Sequence, residues 1–229
     1  MQFLNFFHLE DLHFKKITRM AKERFTAENM QYTQTYIDFV SQINPRKVKF
    51  FDESGFKTTV GHRFYGHSKY NERAIELGRF IPNVNITLNP FVSLDGPAYF
   101  NFVDGPSNAQ AFLNFWAEAS ETFTPSGVPA IEPGDVIIVD NCSIHKYQAE
   151  IELTRFFNRM GVTYFFLPTY SPDLNPAERC FNKLKLLLKQ QRYHDLVQNN
   201  PKVTVGNAIQ ELNADDLCLF YKCTGCFNV

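Results

Sequence analysis

Asp135-Val136-Ile137-Ile138-Val139-Asp140 is the stretch that decides the fold. Four β-branched residues stand in a row, closed by carboxylates and preceded by Pro133-Gly134. A strand with one solvated face alternates apolar and polar side chains. An unbroken apolar run of strand length instead suits a strand buried on both faces. Downstream, Gln148–Met160 reads as a helix and Thr163–Leu167 as a second buried strand. Strand, helix, strand is the crossover unit that sets two strands parallel. Upstream, Asn108–Phe123 reads as a helix with Ala111, Phe112, Phe115 and Trp116 on one side. Before it, Val84–Leu94 and Ala98–Val103 are strands, and Asp95-Gly96-Pro97 between them signals a hairpin. Val48–Asp52 is a short first strand, ended by Asp52, Ser54 and Gly55. The order predicts an α/β protein with a mixed five-stranded sheet flanked by helices.

The flanking segments read as helical. Ile17, Met20, Ala21 and Phe25 recur at helical spacing in Lys15–Val40, and Tyr36, Phe39, Val40 and Ile43 continue a second stripe before Asn44-Pro45 stops it. Asn175–Arg192 is the clearest helix, with Asn175 as its cap and Pro176 at its first position. Phe181, Leu184, Leu187 and Leu188 share a face, beside the basic Lys183, Lys185, Lys189 and Arg192. From Tyr193 onward the chain reads as a loop and one or two short helices. The expected division is a helical segment over 1–44, an α/β core over 45–195 and a helical tail over 196–229.

Composition narrows the function. Of 229 residues, 23 are basic and 24 acidic, a net charge of -1, which excludes a uniformly basic nucleic-acid coat and leaves room for a local basic patch. The apolar runs are too short to span a bilayer, so no membrane partner is expected. The five cysteines are an odd number in a chain too long to need disulfide staples, which fits a reducing interior. Cys223 and Cys226, with Cys218 nearby, form one pair without a second, so a turn is the better reading than a zinc site.

Three carboxylates stand out by position. Asp52 ends the first strand, Asp140 ends the central one, and Glu178 opens the long helix after the last strand. Sites in sheets with crossovers gather at strand ends, where loops expose polar groups over a rigid core. Converging carboxylates raise each other's pKa, and a hard divalent cation, Mg²⁺ or Mn²⁺, relieves that conflict. Each acid also has a plainer reading. Asp52 and Asp140 can make turns, and Glu178, three residues after Asn175, can close a capping box.

The segments Phe50-Phe51-Asp52-Glu53-Ser54-Gly55, Val139-Asp140-Asn141-Cys142-Ser143-Ile144-His145 and Tyr170-Ser171-Pro172-Asp173-Leu174-Asn175-Pro176-Ala177-Glu178 resemble the three catalytic blocks of mariner/pogo-type transposases, members of the DDE superfamily. Thirty-seven residues lie between Asp140 and Glu178, within the family's range. Gly61-His62-Arg63-Phe64-Tyr65-Gly66 and Asn71-Glu72-Arg73-Ala74 resemble the family's segment between the first strand and the hairpin. Phe181 stands where many relatives carry Trp.

The resemblance implies a ribonuclease-H-like fold. It implies that Asp52, Asp140 and Glu178 bind two Mg²⁺ or Mn²⁺ ions and catalyse DNA phosphodiester hydrolysis and strand transfer. Asn141 and His145 would support the metals or the DNA, and Lys183 and Lys185 would touch DNA phosphates. The implied partners are transposon-end or target DNA and a second copy of the chain, in the nucleus. Family members usually carry paired helix-turn-helix units before the core, whereas residues 1–44 resemble only the linker that follows those units. The chain therefore reads as the catalytic domain of a truncated member. Two other readings stay open on the residues: a catalytically silent DNA- or protein-binding module of the same fold, and a nuclease acting on RNA–DNA hybrids.

Overall fold

The computed structural model describes residues 20–57, 65–75, 85–140 and 150–229. Among these, β1 (Val48–Phe51), β2 (Ser54–Lys57), β3 (Asn85–Ser93), β4 (Gly96–Asp104), β5 (Val136–Val139) and β6 (Thr163–Phe166) form one mixed sheet. The helices are α1 (Ala27–Val40), α2 (Ala109–Ser120), α3 (Glu150–Met160), α4 (Pro176–Leu187), α5 (Gln191–Asn199), α6 (Pro201–Ile209) and α7 (Ala214–Lys222). β1 runs parallel to β5, and β5 parallel to β6, as the crossover pattern predicts. β3 is antiparallel to β1, β2 and β4.

Side-chain alternation through the strands builds two cores. Val136 and Ile138 of β5 join Val48 and Phe50 of β1 on the face covered by α1, α4, α6 and α7. Ile137 and Val139 join Phe51 on the face covered by α2 and α3. The second core centres on Trp116, whose ring lies 5.0 to 5.9 Å from those of Phe51, Phe91, Phe112, Phe115 and Phe157. These mostly edge-to-face contacts suit the aromatic quadrupole, and they use the Ala111–Trp116 side read from the sequence.

The sheet has six strands where five are expected. The extra one, β2, comes from Ser54-Gly55, read in the sequence as turn residues. β1 and β2 lie along the same edge of β3 in one unbroken register: Phe51 faces Phe91 and Ser54 faces Leu88. The interruption at Asp52 and Glu53 has a local cause. Asp52 N–H donates to the Pro90 carbonyl at 3.3 Å, but proline has no N–H to return. One long strand is thus cut in two opposite Pro90.

Four further expectations are corrected. In the hairpin, Ser93 pairs with Gly96, so Leu94 and Asp95 form the turn, and Gly96 takes φ 137°, a conformation suited to glycine. The Asn175–Arg192 helix ends at Leu187, and a turn leads into α5. A straight helix would carry Tyr193 roughly 140° around from Leu188 at 100° per residue. The turn instead buries Tyr193 and Val197 in the first core. Beyond Tyr193 the chain forms three helices, because α6 and α7 also bury Val205, Ile209, Leu217 and Tyr221 there. At the N-terminal side, within the stretch Lys15–Val40 expected to be helical, a short 3-10 turn (Lys22–Phe25) precedes α1 and Thr26 separates the two. The expected helical residues 15–19, strand residue Val84, helix residues Gln148 and Ala149, and motif residues 61–64 lie outside the described residues.

One buried ion pair underlies the sheet. Lys49 of β1 is 5% exposed, and its Nζ donates to the Ala130 carbonyl at 2.8 Å and meets Asp135 Oδ2 at 2.7 Å. Asp135, fully buried, also accepts the Glu132 N–H at 2.7 Å. Lys47 Nζ lies 3.5 Å from Asp135 Oδ1, so removing Lys49 leaves the buried carboxylate only that longer, partly exposed pair. Lys49→Met is expected to lower unfolding stability by about 3–5 kcal/mol. The double variant Lys49→Met/Asp135→Leu should recover much of that loss, read by urea denaturation.

Candidate active site

Asp52 and Asp140 are brought together by the parallel ladder. Phe51 of β1 faces Val139 of β5, so the residue after each strand leaves the sheet at the same edge. Asp52 is 9% exposed, whereas Asp140 is exposed. Asp52 Oδ1 accepts the Glu53 N–H at 2.7 Å, and Oδ2 accepts from Asn175 Nδ2 at 2.8 Å. Asn175 is buried, and its own Oδ1 caps α4 by accepting the Ala177 N–H at 3.0 Å. One amide therefore serves two purposes: it starts the helix and fastens that helix end to Asp52.

Glu178 sits in the first turn of α4, half-buried, where a carboxylate is favoured by the helix N-terminus. The capping-box reading of Glu178 gives way to another arrangement, since Asn175 caps through Ala177. A reciprocal capping box forms at Asn213 and Asp216 in α7.

The electrostatics identify Asp52 as the strained member. Burial pushes its carboxyl well above the ordinary range, against the Glu53 N–H, and the charges of Glu178 and Asp140 push it in the same direction. Cys180, one turn along α4, is a buried thiol raised mainly by burial, so it is inert rather than nucleophilic. Phe181 lies on the buried side of the helix with its ring 6.5 Å from Phe56.

The other candidates divide. Asn141 and His145 lie outside the described residues. Lys183 pairs with Asp216 of α7, so its charge is partly matched within the fold, while Lys185 is exposed. The basic stripe does not run on, because Lys189 falls in the turn and Arg192 pairs with Glu211 at 2.5 Å from α5. Asn175 was legible in the sequence as a cap, but its bond to Asp52, 123 residues away, has no local signal.

Asp52, Asp140 and Glu178 offer hard oxygen donors of the kind a divalent cation takes. Among the described residues, however, no group of three His, Cys, Asp or Glu side chains is drawn close enough to hold one ion. No described helix is long and apolar enough to cross a membrane.

The two-faced mixed sheet flanked by helices is a ribonuclease-H-like fold, with Asp52 and Asp140 directly after two of its parallel strands. Residues 47–199 match the family described as DDE superfamily endonuclease, and the chain belongs to that family. No curated protein sequence matches it. Its fold resembles that of the Mos1 strand transfer complex, with a TM-score of 0.67 at 13% identity over 96% of this chain and 66% of that one. The Mos1 mariner paired end complex with Mn gives 0.67 at 12% identity over 98% and 68% of the two chains. The catalytic domain of Mos1 mariner transposase gives 0.51 at 13% identity over 93% and 100%. The chain thus spans about two thirds of the longer Mos1 chains.

Because the folded-state pKa of Asp52 is raised, the stability tied to its protonation is fully present below the unfolded value near 3.8 and is lost as pH rises through the folded value. Asp52→Asn removes that dependence. In chelator, melting temperatures measured from pH 4 upward should show the variant gaining on the wild type as pH rises.

Proposed function

We propose that this domain carries out divalent-metal-dependent hydrolysis and strand transfer of DNA phosphodiesters. The observation that supports the reading most is the junction of Asp52 with both neighbouring elements. The β1–β5 register sets Asp140 beside it, and the Asn175 bond ties the Glu178 helix end to it. Family membership and the Mos1 likeness support the same direction. Mos1 catalytic domain has been solved with Mg and with Mn, and Mos1 transposase in a paired-end complex with a left transposon end.

In this reading Asp52 and Asp140 hold the metal most directly and Glu178 completes the set. When bound, two divalent cations would activate the attacking oxygen and neutralise charge on the leaving oxygen. The chain's own residues supply position. Glu53 N–H and Asn175 Nδ2 each hold one Asp52 oxygen, fixing the carboxylate plane while leaving a lone pair on each oxygen for a ligand. The core beneath keeps the strand ends rigid, which is what phosphoryl chemistry requires of a protein scaffold. Water would be the first nucleophile and a DNA 3′-hydroxyl the second, each forming a new P–O bond as the old one breaks. Lys185, with the first turns of α4, is proposed to meet DNA phosphates. Asn141 and His145 are proposed as supports beside the metal or the DNA. A second copy of the chain and a nuclear setting belong to the same proposal.

The test is Mn²⁺-dependent nicking of supercoiled plasmid by the purified chain. Wild type should nick, and Asp140→Asn should lower the rate by more than about 100-fold, the upper end of what even residues supporting a metal ligand cost. Equal nicking by both proteins would remove Asp140 from the site. Cleavage confined to a labelled RNA–DNA hybrid would replace DNA as the substrate. Folded protein that binds DNA without nicking would favour a silent binding module.

A further inference from the structure

Side chains from α1 and the turn before it reach one short loop, residues 167–175, that joins β6 to α4. Arg24 donates from Nη1 to the Tyr170 carbonyl at 3.2 Å, and its two nitrogens meet the two Asp173 oxygens at 2.5 and 2.8 Å. The guanidinium holds the Asp173 carboxyl below its ordinary range, chiefly through this hydrogen bonding. Asn29 forms a two-way pair with Thr169. Its Nδ2 donates to the Thr169 carbonyl at 3.2 Å, and the Thr169 N–H donates to its Oδ1 at 3.0 Å. The same Nδ2 donates to the Arg24 carbonyl at 3.0 Å, which links the two bracing residues. The Tyr32 hydroxyl donates to the Phe166 carbonyl at 2.7 Å, where the loop begins.

The loop needs holding. Tyr170 has φ 54°, in the left-handed region that a bulky side chain rarely enters. Such a conformation persists only where its surroundings over-determine it. Here the backbone of Thr169 is fixed on both sides by Asn29, and the carbonyl of Tyr170 by Arg24. Five residues further on, Asn175 meets Asp52 and α4 begins.

Ordinary helix docking does not account for these contacts. The buried residues of α1, Tyr36 and Val40, lie in its C-terminal half, while Phe25 and Met30 are each 56% exposed. The N-terminal half is therefore attached to the loop mainly by polar bonds.

We propose that Asn29 is a positioning residue: with Arg24 it holds Thr169 and Tyr170 in the conformation that delivers Asn175 to Asp52 and sets the start of the Glu178 helix. Its catalytic consequence rests on the reading of Asp52, Asp140 and Glu178 as the metal-holding set, whereas the brace itself is open to separate measurement.

The experiment compares wild type with Asn29→Ala and with Asn29→Asp, which keeps the acceptor for Thr169 and loses the donor. Hydrogen exchange is followed in peptides covering 167–175 and, as an internal reference, in α6 and α7. Exchange in the loop should accelerate about tenfold in Asn29→Ala, and less in Asn29→Asp, with the reference unchanged. Mn²⁺ affinity by calorimetry should fall about tenfold, in the range known for residues that orient metal ligands. Nicking at saturating Mn²⁺ should fall less. Adding Tyr170→Gly to Asn29→Ala should restore most of the affinity, because glycine takes positive φ without strain. Unchanged loop exchange, equal acceleration in the reference helices, or unchanged Mn²⁺ affinity despite a loosened loop would each overturn the proposal. If wild type binds no Mn²⁺, the metal reading of the site fails, and loop exchange still decides the brace.

Discussion

The parallel ladder between β1 and β5 is the constraint on which the rest depends. Both strands are buried along their whole length, so neither can slip by one residue without turning one core's side chains into the other. Phe51 belongs to the aromatic core around Trp116, and Phe50 to the core under α7, where it meets Tyr221 edge to face. That fixed register places Asp52 and Asp140 side by side. Tyr221 reinforces it from the opposite face by donating to the Val48 carbonyl at 2.7 Å. The last helix thus supports the strand that carries the first carboxylate.

The site is built against stability. A buried carboxylate with three acidic neighbours, Glu178, Asp140 and Glu53, costs folding energy when ionised. Its two N–H donors, from Glu53 and Asn175, lessen that cost. The contrast with Asp135 is instructive. Also buried, and next to a strand of the same sheet, Asp135 is matched by Lys49 and by the Glu132 N–H. Among the described residues, Asp135 has a direct lysine partner, whereas Asp52 is held by the Glu53 N–H and the Asn175 amide. Position separates them: Asp135 precedes β5 at one end of the parallel strands, and Asp52 follows β1 at the other.

Pro90 and Tyr170 are two local departures from regular backbone, and both border the site. Pro90 interrupts the ladder opposite Asp52, so the carboxylate sits at a break in an otherwise continuous edge. Tyr170 takes a disfavoured φ in the loop that leads to Asn175. Regular pairing would have left less freedom to aim these groups. Rigidity comes instead from specific bonds, the Asn175 amide on one side and the Asn29 amide on the other.

The sequence by itself determined the layered architecture. The Val136–Val139 run, the Phe112–Trp116 stripe and the Asn175-Pro176 helix start depend on periodicity and capping, which act over a few residues and can be read along the chain. It also marked Asp52, Asp140 and Glu178 by their places at strand and helix ends. Ser54-Gly55 carries turn-forming residues yet is a strand, because a strand is decided by what lies beside it, here Leu88 and Thr87 of β3. The break after Leu187 was missed for a similar reason: burial of Tyr193 and Val197 in a distant core outweighs local helix preference. Only tertiary structure decided which amide holds which group. The Asn175–Asp52 and Asn29–Thr169 bonds join residues 123 and 140 positions apart. Nothing local encodes such contacts, because they exist only once the sheet has fixed the distance between the elements that carry them.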